Sequence, residues 1–166
     1  MISRKDFIKT GTLGVLGTAI LGKPIYHKLS NFGKYTIGAC DWSINNISNL
    51  GAMEMAKQIG LDGAQLSLGL KSNDMHLRRK DVQEAYKSLA KIFKVGFTGL
   101  AIGELNNYPL KSDSQTDQWV YDSIEVAKAL GIKVVLLAFF AEGDLKNDKK
   151  GTDAVVQKLK TIMPHA

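Results

Sequence analysis

The chain has few of the residues that usually mark a catalytic centre. Its single cysteine, Cys40, excludes an intrachain disulfide and a multi-cysteine zinc site, and is typical of a small buried apolar residue. The three histidines, His27, His76 and His165, stand outside any catalytic motif, so a catalytic thiol has no evident partner. H-x-x-E-H and the nucleophile elbow G-x-S-x-G are also absent. Function must therefore be inferred from the order of the structural elements.

Nucleotide-binding signatures are missing too. The chain has neither the G-x-G-x-x-G dinucleotide fingerprint nor the G-x-x-x-x-G-K-[ST] phosphate loop. Its composition is that of an ordinary globular protein, with 45% hydrophobic and 23% charged residues over 166 positions. This length allows one domain with a substantial core.

The net charge of +6 does not indicate a nucleic-acid partner, because the excess lies in the first 34 residues. That segment holds six of the 22 Lys and Arg residues and one of the 16 acids, Asp6. The remainder therefore carries sixteen cations against fifteen acids. A nearly neutral body gives no electrostatic argument for a polyanion.

Residues 1–34 form a leader and linker in our interpretation. A basic start precedes a glycine-rich apolar run, Gly11 to Gly22, which is too short for the roughly 20 apolar residues of a membrane span. This order is typical of an export signal. The segment around Arg4-Lys5 resembles the twin-arginine motif S-R-R-x-F-L-K, with lysine as its second basic residue. We expect export to the periplasm and no membrane span in the mature form. The alternative is an amphipathic N-terminal helix on a cytoplasmic protein.

Residues 35–166 read as four β/α units. Strand 2 alternates, with Ala64, Leu66 and Leu68 on one face, and Ser114 with Asp117 resembles a capping box before helix 3. The run Val134 to Phe140 predicts a central strand covered on both sides. The predicted strands are 35–40, 63–68, 97–102 and 133–139, and the predicted helices are 50–59, 81–94, 114–130 and one beginning near 153.

Glycines are predicted to end the first three helices, at Gly60, Gly96 and Gly131. Strictly alternating strands and helices predict parallel strands with right-handed crossovers. The spacing suits a (β/α)₈ TIM barrel, which takes about 250 residues or roughly 31 per unit. Residues 35–166 then make the N-terminal half barrel. A doubly wound open sheet is the structural alternative.

The loops after the strands hold the candidate site, since parallel α/β folds bind ligands there. Carboxylates follow three of the four strands and suit metal binding or acid–base chemistry. Each also has a structural interpretation: Asp41 as a cap for the loop before helix 1, Glu104 as a solvent-facing residue, and Glu142 as part of a polar turn. Trp42 and Tyr108 suit stacking on a sugar ring, or packing in the core or at the rim.

The combination of CDWS (40–43), IGLDGAQLSLG (59–69), LAIGELNNYPLKSD (100–113) and SIEVAKALGIKVVLLAFFAEGDLK (123–146) resembles the sugar phosphate isomerase/epimerase family of xylose-isomerase-like TIM barrels. The resemblance implies a divalent metal, Mn²⁺, Mg²⁺ or Zn²⁺, that holds adjacent oxygens of a sugar or polyol. Carboxylates then move a proton beside a carbonyl.

In this family the metal ligands lie on the second half of the barrel, so the resemblance assigns no catalytic or metal-binding residue here. It implies a truncated chain, inactive alone, that supplies one wall of the substrate site. The residues it points to are Trp42, Gln65, Glu104, Asn106, Tyr108 and Glu142.

Two alternatives remain open. A non-catalytic half barrel would bind sugar or self-associate, because its first and fourth strands have open edges through which two copies can pair as a homodimer. A metal-dependent endonuclease of the same superfamily would need to bind phosphates, and the nearly neutral body argues against it.

Overall fold

The computed structural model describes residues 36–166, so the predicted leader and linker lie outside the described residues. The described chain alternates strands and helices throughout. The strands are β1 (Gly38–Cys40), β2 (Gly63–Ser67), β3 (Gly96–Ile102) and β4 (Val135–Leu137). The helices are α1 (Gly51–Gln58), α2 (Lys80–Phe93), α3 (Gln115–Leu130) and α4 (Lys149–Ile162). No helix within residues 36–166 is long and apolar enough to cross a membrane.

All four strands are parallel and lie in chain order, β1-β2-β3-β4. Neighbouring helices pack against one another in the same order. A doubly wound sheet would instead reverse its strand order at a switch point. The doubly wound alternative is therefore wrong for the described residues. The fold is α/β, and its four units are compatible with half of a (β/α)₈ barrel.

The core lies between the sheet and the helices. The alternation predicted for β2 is confirmed, because Ala64, Leu66 and Leu68 are fully buried on the helix-facing side. Met53 of α1 and Tyr86 of α2 join them, and both are also fully buried. The period of two along the strand thus matches the apolar stripes of the helices.

Helix ends agree only in part with the glycine pattern. Gly60 and Gly131 follow α1 and α3 with positive φ angles of 82° and 69°, as predicted for glycines that end helices. The assignment of Gly96 was wrong. The left-handed residue after α2 is Lys94, at φ 55°, and Gly96 is the first residue of β3.

Two predictions about helix starts were wrong, the capping box of α3 and the first residue of α4, whereas the predicted start of α3 at Ser114 is confirmed to within one residue. The capping box of Ser114 does not form, and Gln115 N donates to Asp113 Oδ1 instead. Helix α4 begins at Lys149 rather than near position 153, because Gly151 N donates to Asp148 Oδ1 at 2.8 Å. This hydrogen bond, together with Lys111, holds the pKa of Asp148 below its ordinary value.

The fourth strand is not covered on both sides. It lies at the edge of the described sheet, and only Val135 and Leu137 share the helix-facing side of Leu100 and Ile102. The opposite side, which we call the inner face, is open. It carries Gln65, Gly99, Ala101, Val134 and Leu136. Val134 keeps 61% of its surface exposed, so the prediction of a fully covered strand was wrong.

Candidate functional site

A cavity of about 360 Å³ opens where the strands end. The loops that follow all four strands contribute to it, as the parallel order requires. Apolar side chains predominate, and Glu104 is the one acidic or basic residue among those that line it. The wall comprises Trp42, Ile47, Ser67, Gly69, Leu70, Ala101, Gly103, Glu104, Asn106, Asn107, Leu136, Ala138 and Phe140.

Three of the six predicted substrate-side residues meet at this cavity. Trp42 follows β1 and is 40% exposed, while Glu104 and Asn106 follow β3. Gln65, Tyr108 and Glu142 lie outside the lining. The structure therefore brings together side chains from loops 1 and 3, but not the full set.

Asp41 lies fully buried below the cavity and connects three segments. Its Oδ1 accepts from Ser67 Oγ and its Oδ2 from Ser67 N, both at 2.8 Å. Ser48 N also donates to Oδ2, at 3.1 Å. The structural interpretation of Asp41 as a cap for the loop before α1 is confirmed, and the same carboxylate joins the ends of β1 and β2. Its hydrogen bonds leave Asp41 inside the scaffold rather than in the cavity wall.

Glu104 holds two loops together. Its Oε1 accepts from Lys71 N at 3.1 Å, which connects the loop after β3 to the loop after β2. Its Oε2 accepts from Asn107 Nδ2 at 3.4 Å, within its own turn. Because both of its oxygens accept hydrogen bonds, the Glu104 carboxylate positions the two loops. It also supplies the negative charge of the cavity wall.

Asn106 connects the third loop to the fourth. Its Oδ1 accepts from Phe140 N at 2.9 Å, which leaves the amide Nδ2 as its donor group. No hydrogen bond from that Nδ2 occurs within residues 36–166. Since Asn106 lines the cavity, its amide is the polar group best placed to donate to a ligand oxygen.

The three predicted residues outside the cavity occupy other surroundings. Gln65 lies on the inner face, where Cys40 Sγ donates to its Oε1 at 2.8 Å. Burial and the nearby Asp41 raise the pKa of the Cys40 thiol, which keeps it protonated.

Tyr108 packs edge-on against Trp119 and lies under the ammonium of Lys71. Glu142 is exposed in the 3₁₀ turn Ala141–Gly143, in keeping with its interpretation as a polar turn.

Sequence reasoning missed the apolar wall that the fourth unit supplies. Leu136, Ala138 and Phe140 line the cavity, and Phe140 is 69% exposed. Their spacing of two would have placed them on one side of a strand. The uninterrupted apolar run from Val134 to Phe140 instead predicts a strand buried on both sides, and this obscures the spacing of two.

A second missed feature is a polar layer around Asp41. The rings of His76 and Tyr86 meet edge-on at 6.1 Å. His76 Nε2 and Tyr86 Oη are buried without a hydrogen-bond partner in the described part of the chain. Burial lowers the pKa of His76, and Asp41 partly offsets that effect. Burial, and then Asp41, raises the pKa of Tyr86.

The metal expected from the resemblance has no ligand set in residues 36–166. No group of three or more His, Cys, Asp or Glu side chains converges there. The carboxylates nearest the cavity, Asp41 and Glu104, already accept hydrogen bonds on both oxygens. The described residues therefore do not fit a divalent ion.

Comparison with known proteins adds no assignment. No protein-family model matches the chain, and no curated protein is significantly similar to it.

Proposed function

We propose that this chain forms the substrate-binding wall of a sugar or polyol isomerase or epimerase built on a (β/α)₈ barrel. One observation carries the proposal. The cavity is assembled from the loops after all four strands, at the C-terminal ends of the strands, where barrels of this type bind their substrates. The sequence resemblance supplies the reaction class.

The cavity wall suits a polyhydroxylated ring. Trp42 and Phe140 offer aromatic surface to the C–H face of a sugar, and the Asn106 amide offers a donor to a hydroxyl or carbonyl oxygen. The loops are already connected to one another through Glu104–Lys71 and Asn106–Phe140. Such pre-organisation lowers the conformational cost of binding. We assign binding to these residues and no proton transfer.

Sugar binding is tested by intrinsic fluorescence of the 166-residue chain. Trp42 is 40% exposed in the cavity, whereas Trp119 is 3% exposed in the core, so a ligand should change the emission of Trp42 alone. Titration with D-xylose and D-glucose is expected to give a saturable change that disappears in Trp42→Phe. Phe140→Ala should weaken binding without unfolding the chain, as checked by far-UV circular dichroism. The absence of saturable binding for a panel of pentoses, hexoses and polyols would contradict the proposal.

A second candidate is self-association of two half barrels. Val134 and Phe140 are 61% and 69% exposed, and β1 and β4 form the two edges of the described sheet. A twofold axis parallel to the strands would pair β4 of each copy with β1 of the other. The pairing would satisfy both edges and cover the inner face.

Sedimentation equilibrium distinguishes this candidate from a monomeric binding wall. Val134→Lys puts a charge on the inner face and is expected to convert a dimer into a monomer. Ile92→Lys is the matched control, because Ile92 is 68% exposed on α2, away from the inner face. A monomeric wild-type chain, or equal effects of the two substitutions, would reject the dimer.

A further inference from the structure

The electrostatics of the cavity distinguish a free sugar from a phosphorylated one. None of the residues that line the cavity is a lysine or arginine. The only ionisable acid in the wall is Glu104, and a second carboxylate, Asp41, lies buried directly behind the lining residue Ser67. The described part of the site is thus negative and has no cation facing it.

The cationic side chains on the adjoining segments interact with groups outside the cavity. The ammonium of Lys71 lies 3.9 Å from the ring centre of Tyr108, which is not a lining residue. Arg78 forms ion pairs with Asp74 and Asp122, at 2.6 and 2.9 Å. Below the cavity, burial lowers the pKa of His76, which favours its neutral form. A phosphate group in the cavity would therefore meet carboxylates without a compensating charge.

We propose that the cavity selects an uncharged sugar or polyol over its phosphate ester, and that the carboxylate of Glu104 is the group that discriminates. This inference rests on the proposed function, because it specifies the substrate class of the same site. Aromatic surface and a single amide donor recognise a neutral ring. Negative charge in the wall excludes the phosphorylated one.

Glu104→Gln tests the inference with little change of shape. The glutamine Oε1 can still accept from Lys71 N, so the connection between the two loops is retained while the charge is lost. Glu142→Gln is the matched control, since Glu142 is an exposed acid of the next loop that does not line the cavity. Far-UV circular dichroism checks that both variants are folded.

Trp42 fluorescence measures the affinity of each protein for D-glucose and for D-glucose 6-phosphate, at low and high salt. We expect the wild-type chain to bind the phosphate at least about tenfold more weakly. Glu104→Gln should narrow that ratio severalfold, and Glu142→Gln should leave it unchanged. Equal or tighter binding of the phosphate, or a ratio unaffected by Glu104→Gln, overturns the inference and leaves the proposed function standing. The absence of saturable binding for both compounds and for the whole panel of pentoses, hexoses and polyols overturns both.

Discussion

The carboxylate of Asp41 accepts two hydrogen bonds from Ser67, one from the serine hydroxyl and one from its backbone N–H, each at 2.8 Å. Both residues are buried. Asp41 directly follows β1, and Ser67 is the last residue of the neighbouring parallel strand β2. Ser48 N adds a third hydrogen bond from the loop before α1. This single side chain therefore sets the relative position of the first two loops, which contribute Trp42 and Leu70 to the cavity wall.

Removing the Asp41 carboxylate should destabilise the chain strongly. Asp41→Ala leaves three donors without their acceptor in a buried site, and we expect a loss of about 3 kcal/mol in the free energy of unfolding. Asp41→Asn should cost less, because one amide oxygen still accepts. Asp62→Ala is the control: Asp62 also accepts a backbone N–H, that of Ile37 at 3.0 Å, but it is exposed. Urea unfolding measures the free energy of unfolding of all three variants. Equal losses of stability for Asp41→Ala and Asp62→Ala would contradict the role of Asp41 as a buried hydrogen-bond acceptor.

Gly69 should tolerate no side chain. It has φ +152°, and a Cβ there would lie 2.3 Å from Met75 Cα and 2.6 Å from His76 N. Gly69→Ala must move backbone atoms of the second loop, so we expect a loss of about 3 kcal/mol or more. Two effects contribute to this loss, the positive φ angle and the close approach to Met75. Gly60→Ala measures the first alone, because Gly60 has φ +82° with nothing within 4 Å of its Cβ position. That control should cost only about 1 kcal/mol. Similar unfolding free energies for the two variants would show that the close approach to Met75 is relieved cheaply.

The alternation of strands and helices could be read from the sequence because it depends on local patterns. The period of two in β2, and the glycines at positions 60 and 131, are properties of short segments. The mistakes came from competing local signals. Lys94 takes the left-handed conformation that Gly96 was expected to take. Asp148 caps α4 so that the helix begins at Lys149, about one turn before the start predicted near position 153.

The site was less predictable because its geometry depends on contacts between distant segments. Trp42, Glu104 and Asn106 could be placed near the strand ends, since parallel topology brings those ends to one edge. Whether a carboxylate is free depends on residues far away in sequence: Lys71 is 33 positions from Glu104, and Ser67 is 26 from Asp41. No local pattern reports such pairs.

Tyr86→Phe should stabilise the protein. The Tyr86 ring is fully buried, and its hydroxyl has no hydrogen-bond partner within residues 36–166. Removing a buried, unsatisfied hydroxyl relieves its desolvation cost, so we expect a gain of about 1 kcal/mol. Tyr121→Phe is the control, because that side chain is 37% exposed and its hydroxyl can reach water. Urea unfolding compares the two. A loss of stability in Tyr86→Phe would instead indicate that a buried water satisfies the hydroxyl.

His76 should make the protein less stable in mild acid. Burial lowers its pKa in the folded state from the ordinary value of 6.5. The attraction of Asp41 partly offsets this effect, and the repulsion of Arg79 adds to it. Between the folded and unfolded pKa values the unfolded chain binds more protons, so stability rises with pH. The loss therefore begins as the pH falls through about 6.5 and continues down to the lowered folded value.

Replacing His76 isolates its share of this pH dependence. His76→Phe keeps a ring edge-on to Tyr86 and removes the titrating group, so its unfolding free energy should vary less between pH 8 and 5 than that of the wild type. His165→Gln changes an exposed histidine and should retain the wild-type slope. The window stops at pH 5 because Asp148 and Asp81, whose folded pKa values lie below 3.8, contribute only in stronger acid. If the unfolding free energy of His76→Phe varies with pH as steeply as that of the wild type, the His76 imidazole accepts its proton in the folded state without a loss of stability. The unpartnered Nε2 would then have access to solvent, and the layer beneath the cavity would be wet rather than closed.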